Sequence, residues 1–578
     1  MITYMLALQT KFSRTHRSDI LNCIIHMSLS LRDKLVRYEV PPHCGIRKLP
    51  AATAYLLIFT ALAFGQVLFG QTTQYDLVIT GGKIVDGSGG SWYYGDVAIQ
   101  GDTIVAMGKL SPTAGVRRLD ARGMVVAPGF IDPHTHSRRG ILDDPFALNY
   151  IRQGVTTLME GPDGSSPLPI KDFLDQIAAA HTAPNFGTFV GQGSIRESVM
   201  GLVNRKATPD EIEKMRQVTR QAMLDGAFGM STGLFYVPGN FTPTEEVVEL
   251  AKVTGAMGGM HTSHMRDEAA NILDSVKETI RIGEDGGLPT QITHHKIIGR
   301  GNWGLSKETL QLVEEARARG VDATIDAYPY TASSTGTRAM IPQWAQEGGQ
   351  KALVERLDAP EQRTRIKTAV VAAIEGDRAG GDPANVVMDA CEFNPALAGK
   401  SLADITRDKG RAVNSENAAE TLLEIQHAGG CLAVYHIISE EDVERILRYP
   451  FTMIGSDGEV PHFGVGAPHP RSYGTFARVL GRYVRERKTL TLEDAVHRMS
   501  GMTAARLKLF DRGLLRPGMK ADIVIFDPAK VADKAEFDKP HQYAVGFRDV
   551  IVNGTPVIAN GVLTKERPGR ILYGPAKR

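Results

Sequence analysis

Short apolar runs recur along the chain at the rhythm of alternating strands and helices. Eight read as strands: one closing near His136, then 156–159, 187–190, 228–231, 259–264, 291–294, 323–327 and 452–455. Helical periodicity intervenes, as over 244–257 and 272–283, where apolar positions return every three or four residues. Buried strands separated by helices predict βα units, and eight of them predict a parallel α/β barrel of the (β/α)8 TIM type. In such a barrel the chemistry sits at the C-terminal strand ends. The rhythm breaks once, between the seventh and eighth strands. Residues 331–450 are too many for a connecting loop and predict a lid or subdomain.

Outside the barrel stretch the pattern shortens toward period two. Residues 75–87 predict a strand, a Gly81-Gly82 turn and a second strand, with further strands over 95–100 and 103–107. Late in the chain, 522–527 and 550–554 have the same hairpin character. Both ends are therefore expected to meet in one small β-sandwich, with Trp92, Tyr93 and Tyr94 in its core. The expected organisation is a leader over 1–70, sandwich segments over 71–125 and 511–578, and a barrel over 126–510.

Within the leader, Arg47-Lys48, an apolar run over 51–65 and the small residues Ala63 and Gly65 predict a secretory signal cleaved near Gln66. The protein is then expected to be periplasmic or secreted. The run lies far from Met1, which suggests a later start, with Met27 a candidate. An uncleaved membrane anchor is the alternative, since the run can extend to about 20 residues.

Composition alters this picture little. An apolar fraction of 42%, a charged fraction of 23% and a mean hydropathy of −0.15 are those of a soluble globular chain. A formal net charge of +1 argues against nucleic acid or an acidic membrane surface as partner. Nothing in the pattern fixes an oligomeric state. Cys391 and Cys431 are the cysteines beyond the leader, and their spacing matches no metal motif. One disulfide is open to them, but packing or incidental roles are the expectation.

The candidate chemistry sits where the apolar runs end. In Phe130-Ile131-Asp132-Pro133-His134-Thr135-His136, two histidines at i and i+2 on a strand face one side and can offer two imidazole nitrogens to one cation. His264, His294 and Asp457 each follow another apolar run. Imidazole and carboxylate ligands that leave a position open for water suit a metal-dependent hydrolase. Asp132 is expected to be structural and His295 to pack on the opposite face. Asp267 and Glu268 are expected to pair with Arg266 or to start a helix.

Several stretches together carry a resemblance. They are Pro128-Gly129-Phe130-Ile131-Asp132-Pro133-His134-Thr135-His136, Gly154-Val155-Thr156-Thr157, Ser231-Thr232-Gly233-Leu234-Phe235-Tyr236 and Thr262-Ser263-His264-Met265-Arg266-Asp267-Glu268. They continue with His294-His295-Lys296, Asp326-Ala327-Tyr328-Pro329-Tyr330, Ile454-Gly455-Ser456-Asp457-Gly458 and Pro468-His469-Pro470-Arg471. In this order they resemble the amidohydrolase superfamily, specifically the D-aminoacylase (N-acyl-D-amino-acid deacylase) family. The likeness runs from about Tyr75 to about Leu572.

The resemblance implies that His134, His136 and Asp457 line one metal position and that His264 and His294 hold another. Where the family usually has a bridging cysteine, this chain reads Glu160-Gly161-Pro162-Asp163-Gly164, which puts Asp163 at its place, with Glu160 as the alternative. A carboxylate is harder than a thiolate. Zinc is expected first, as one or two ions, with manganese, iron or cobalt admitted. The resemblance further implies Asp457 as the proton carrier and Arg471, Lys296 and Tyr328 as contacts of the substrate carboxylate. Ser334, Phe235 and Ile438 are expected to line the pocket.

The substrates implied are N-acyl-D-amino acids, cleaved to a carboxylate and a D-amino acid. Cyclic amides of the hydantoinase or dihydroorotase type, or dipeptides, are the alternative. A cyclic ureide lacks the free carboxylate that Arg471 and Lys296 would bind, which weighs against it. A barrel that binds without catalysis is the third reading.

Overall fold

A computed structural model describes residues 75–111 and 116–578, so the expected signal or anchor lies outside the described residues. Five strands come first: β1 (Leu77–Ile84), β2 (Tyr93–Gln100), β3 (Thr103–Gly108), β4 (Arg117–Asp120) and β5 (Val125–Pro128). The α/β region supplies β6 (Phe130–Asp132), β7 (Val155–Glu160), β8 (Asn185–Thr188), β9 (Val190–Gly191), β10 (Gly229–Gly233), β11 (Met260–His264), β12 (Thr290–Ile292) and β13 (Ala323–Ala327). After these come β14 (Ser333–Gly336), β15 (Val386–Ala390), β16 (Leu432–Tyr435) and β17 (Thr452–Ile454). The chain closes with β18 (Ile523–Phe526), β19 (Phe547–Val552), β20 (Thr555–Ala559) and β21 (Val562–Leu563).

Strands β6, β7 and β8 pair in parallel, and β9 through β13 run in parallel on to β17. Only Phe189 separates β8 from β9. A parallel bridge between Thr135 and Gly458 links the chain just after β6 to the chain just after β17. Helices such as Thr244–Ala256 and Ile272–Gly286 intervene, the second running three residues past its expected end to a left-handed Gly287. The α/β region is TIM-barrel-like.

Both ends of the described chain enter one nine-stranded sheet, joined where β18 pairs antiparallel with β5. Its side chains alternate between two cores. Ile523 and Ile525 pack with Ile79, Val97 and Ile104, whereas Val524 and Phe526 pack with Phe130 and Val155 of the α/β region. Two expectations fail here. Gly81-Gly82 is not a turn: β1 runs through it, and the register against β2 shifts between Ile79 and Gly82, which is a bulge. Trp92, Tyr93 and Tyr94 are not core. Trp92 precedes β2 and the two tyrosines open it, at 40%, 42% and 70% exposure, with Lys83 Nζ 4.2 Å above the Trp92 ring.

Residues between β13 and β17 fold around their own core. Strands β14, β16 and β15 form an antiparallel sheet, against which helices Gly349–Asp358, Pro360–Glu375 and Ser415–His427 bury Leu353, Ile366, Val370 and Leu422. Cys391 and Cys431 do more than pack. They form a disulfide, because Ala390 and Leu432 are register partners across β15 and β16 and bring the two Cα atoms to 4.4 Å. Among the described residues no helix is long and apolar enough to cross a membrane.

One buried, ion-paired acid, Asp522, ties the terminal sheet to Asn185 of the α/β region. Arg512 Nη1 lies 2.5 Å from Asp522 Oδ2, and the Asp522 carboxylate also accepts from the Asn553 N–H and the Asn185 amide. Removing one partner strands a buried charge. Asp522→Ala is expected to cost roughly 3–5 kcal/mol of stability, read as an earlier urea midpoint; an unchanged midpoint would refute this.

Candidate metal centre

The backbone aims the site residues inward at strand ends. Asp132, the last residue of β6, accepts through Oδ1 from the His134 N–H (3.1 Å) and the Ser456 N–H (3.0 Å). It therefore fixes the His134-Thr135-His136 segment against the segment after β17, as its structural expectation holds. The Asp457 N–H donates to the His134 carbonyl at 2.9 Å. Asp163, His294 and Asp457 have φ of 56°, 36° and 53°. Each thus turns the chain sharply just beyond a strand, at a cost non-glycine residues seldom bear.

Two groups of side chains converge. Ligand atoms of His134, His136, Asp163 and Asp457 lie within 4.8 Å of one another, and so do those of Asp163, His264 and His294. Asp163 belongs to both. Its carboxylate is 3.5 Å from His134 Nε2, 3.4 Å from His136 Nε2, 3.7 Å from His264 Nδ1 and 3.4 Å from His294 Nε2. Glu160 is instead held by Ser137 Oγ and the Arg138 N–H, and joins neither group.

The donor set suits a cation. Both ring nitrogens of His134 and Oδ1 of Asp163 are buried without a hydrogen-bond partner, which is costly unless something positive or protic meets them. Burial alone would lower the His134 pKa, yet the facing Asp163 and Asp457 carboxylates lift it well above 6.5. Burial alone would raise Asp457, yet Arg471 and His134 hold it well below the usual carboxylate range. Negative charge is thus concentrated where the imidazoles point.

A cavity of about 980 Å³ opens over these groups. Arg471, Lys296, Tyr328, Ser334 and Phe235 all line it, with His136, Asp163, His264, His294 and Asp457. His134 is fully buried behind them. Arg471 Nη1 is 2.8 Å from Asp457 Oδ2, and its guanidinium lies 4.9 Å from the Tyr328 ring centre. Ile438 is not on the wall: it bridges through its backbone to Ile298, and Ile298 lines the cavity instead. His295 packs as expected, Nε2 lying 2.8 Å from Thr309 Oγ1.

Two acids gained roles that the linear pattern hid. Glu268 does not pair with Arg266, which Glu278 takes. Its carboxylate is 2.6 Å from Lys296 Nζ and 3.2 Å from His294 Nδ1, inside the cavity. Asp267 does organise the following turn, accepting from the Ala269 N–H. Asp326 accepts from the His294 N–H at 2.7 Å and from Gln291 Nε2 at 2.5 Å, bracing the left-handed His294.

A model of the amidohydrolase family matches residues 117–558. The chain belongs to that family. Within it, this amidohydrolase is 38% identical to the D-aminoacylase of Alcaligenes xylosoxydans xylosoxydans, over 86% of this chain and 97% of that one. Its fold matches a crystal structure of D-aminoacylase with a TM-score of 0.74 at 36% identity, covering 86% of this chain and all of the other. The N-acyl-D-glutamate deacylase of Bordetella bronchiseptica, solved with zinc and a phosphonate inhibitor, also matches at TM-score 0.74, with 33% identity over 86% and 100% of the two chains. The amidohydrolase thus sits in the D-aminoacylase branch.

Because Asp163 is common to both groups, its loss is expected to weaken both. Asp163→Ala should lower the divalent metal retained after dialysis to well under half of wild type, by elemental analysis. Full retention would show that the histidines and Asp457 suffice.

Proposed function

We propose that this amidohydrolase is a metal-dependent N-acyl-D-amino-acid deacylase, cleaving a linear amide to a carboxylate and a free D-amino acid. The observation that carries it is the pair of His/Asp groups sharing Asp163, with Asp457 and Arg471 paired at their edge. His134, His136, Asp163 and Asp457 would hold one divalent cation, and Asp163, His264 and His294 a second. Zinc is the first choice and manganese, iron or cobalt follow. Such a cation supplies Lewis acidity, activating water and polarising the scissile carbonyl.

The protein's own groups do the rest. Asp457, kept ionised, accepts a proton from water and returns it to the departing nitrogen. Arg471, with its planar fork, receives the substrate α-carboxylate, and Lys296 and Tyr328 orient it. Glu268 keeps Lys296 fixed beside His294. With the carboxylate and the carbonyl both anchored, only one configuration at Cα sends its side chain into the cavity, where Ser334 and Phe235 meet it.

The same reading takes the two parallel sheets as one closed eight-stranded barrel over 126–510 and the terminal sheet, from 71–125 and 511–578, as a small sandwich. Residues 331–450 then form the lid, supported by their separate core and by the cavity residues they contribute. The Cys391–Cys431 disulfide supports a periplasmic or secreted location, since structural disulfides persist in oxidising compartments.

Two measurements test this. On a panel of N-acetyl-D- and N-acetyl-L-amino acids, hydrolysis of the D forms alone is expected, lost with chelator and restored by a divalent ion. Turnover of cyclic amides or D-configured dipeptides instead would overturn the substrate assignment. Asp457→Asn is expected to keep the fold and cut kcat by about a thousandfold or more, the scale of a general acid–base group combined with a lost ligand. A fully active variant would remove Asp457 from the chemistry.

A further inference from the structure

Six cationic side chains line the cavity, and four of them are matched by a carboxylate. Arg138 faces Glu160, Arg139 faces Glu459, Lys296 faces Glu268 and Arg471 faces Asp457. Arg338 is half-buried and donates to Gln350 Oε1. Arg378 differs from all of these. It is only 9% exposed, yet among the described residues neither a carboxylate nor a hydrogen-bond acceptor pairs with its guanidinium. Glu197 and Glu392 also line the cavity, but both are exposed and neither pairs with Arg378.

The position of Arg378 is set from two sides. The chain reaches it just after helix Pro360–Glu375, and its backbone N–H donates to the Ala373 carbonyl. Its guanidinium lies 4.6 Å from the Phe235 ring centre, and that ring is 5.9 Å from the His264 ring. Stacking on an aromatic face holds the guanidinium plane while leaving its edge free to donate. Arg471 approaches the same centre from Asp457 instead. The two guanidiniums thus flank the candidate metal groups by way of different ligands.

A buried cation without a counter-charge is unfavourable, and a ligand that brings the charge gains both the Coulomb attraction and a two-pronged hydrogen bond. We propose that Arg378 is a second anion subsite, and that it makes this enzyme selective for N-acyl-D-amino acids whose side chain ends in a carboxylate. The inference rests on the deacylase reading above. The α-carboxylate binds at Arg471, the scissile carbonyl lies at the His/Asp groups, and the side chain extends past Phe235 to Arg378. A neutral isostere of the same shape can accept one hydrogen bond there but brings neither the counter-charge nor the second acceptor oxygen.

The test compares kcat/KM of the metal-loaded, full-chain enzyme for N-acetyl-D-glutamate and N-acetyl-D-glutamine at one ionic strength. The wild type is expected to favour the acid by about tenfold or more, the range of one charge-assisted hydrogen bond. In Arg378→Met that acid-to-amide ratio is expected to collapse to about one or below, and Arg378→Lys to restore part of it. A wild type that shows no preference, or prefers the amide, overturns the proposal without any variant. A preference that survives Arg378→Met within threefold also overturns it. Hydrolysis of neutral N-acyl-D-amino acids alone would sink this inference and leave the deacylase reading standing, whereas no hydrolysis of any N-acyl-D-amino acid would sink both.

Discussion

A single carboxylate on the cavity floor, Asp163, faces four imidazoles, and the organisation of the site depends on it. Burial on its own would raise its pKa, but His134 and His294 hold it well below the usual range. Without it, the two groups of nitrogens would be separate half-sites, one left with Asp457 and the other with Glu268. With it, they share one charge centre under one cavity. A carboxylate in this place offers two hard oxygens to two neighbours, which favours cations that accept oxygen as well as nitrogen.

Holding such a centre in register requires a scaffold that does not yield. Asp132 spans from β6 to the end of β17, and Asp326 spans from β13 to the turn after β12. Both are fully buried acids that receive backbone N–H groups, so they position the ligand-bearing turns without being ligands. The left-handed conformations of Asp163, His294 and Asp457 fit this division. Each is a strained residue kept in place by neighbours, and each sits where side-chain direction matters most.

The insertion contributes a different kind of constraint. Its antiparallel sheet and helices form a core separate from that of the α/β region, and the disulfide closes the end of the β15–β16 pair. Ala390, Cys431 and Leu432, at that closed end, line the cavity. The cavity therefore has one wall of strand-end loops, which carry the reacting groups, and one wall of inserted chain.

The sequence by itself determined the alternation of strands and helices, the long insertion, the entry of both ends of the described chain into one sheet, and which histidines converge with Asp457, while Asp163 came with the family resemblance. These are legible because burial on both faces produces unbroken apolar runs, and because a polar side chain at a strand's C-terminal end follows such a run directly. Only the tertiary structure decided the partners. Glu268 turned from Arg266 to Lys296, Cys391 found Cys431 across a sheet, Trp92 and its neighbours went to solvent, and Gly81-Gly82 became a bulge. In each case the outcome rests on a group far away in the chain, or on which half of a strand another layer covers, and neither leaves a periodic mark on local sequence. Arg378 is the clearest instance: nothing near it in sequence distinguishes it from a surface arginine, and only the folded cavity shows it buried and unmatched.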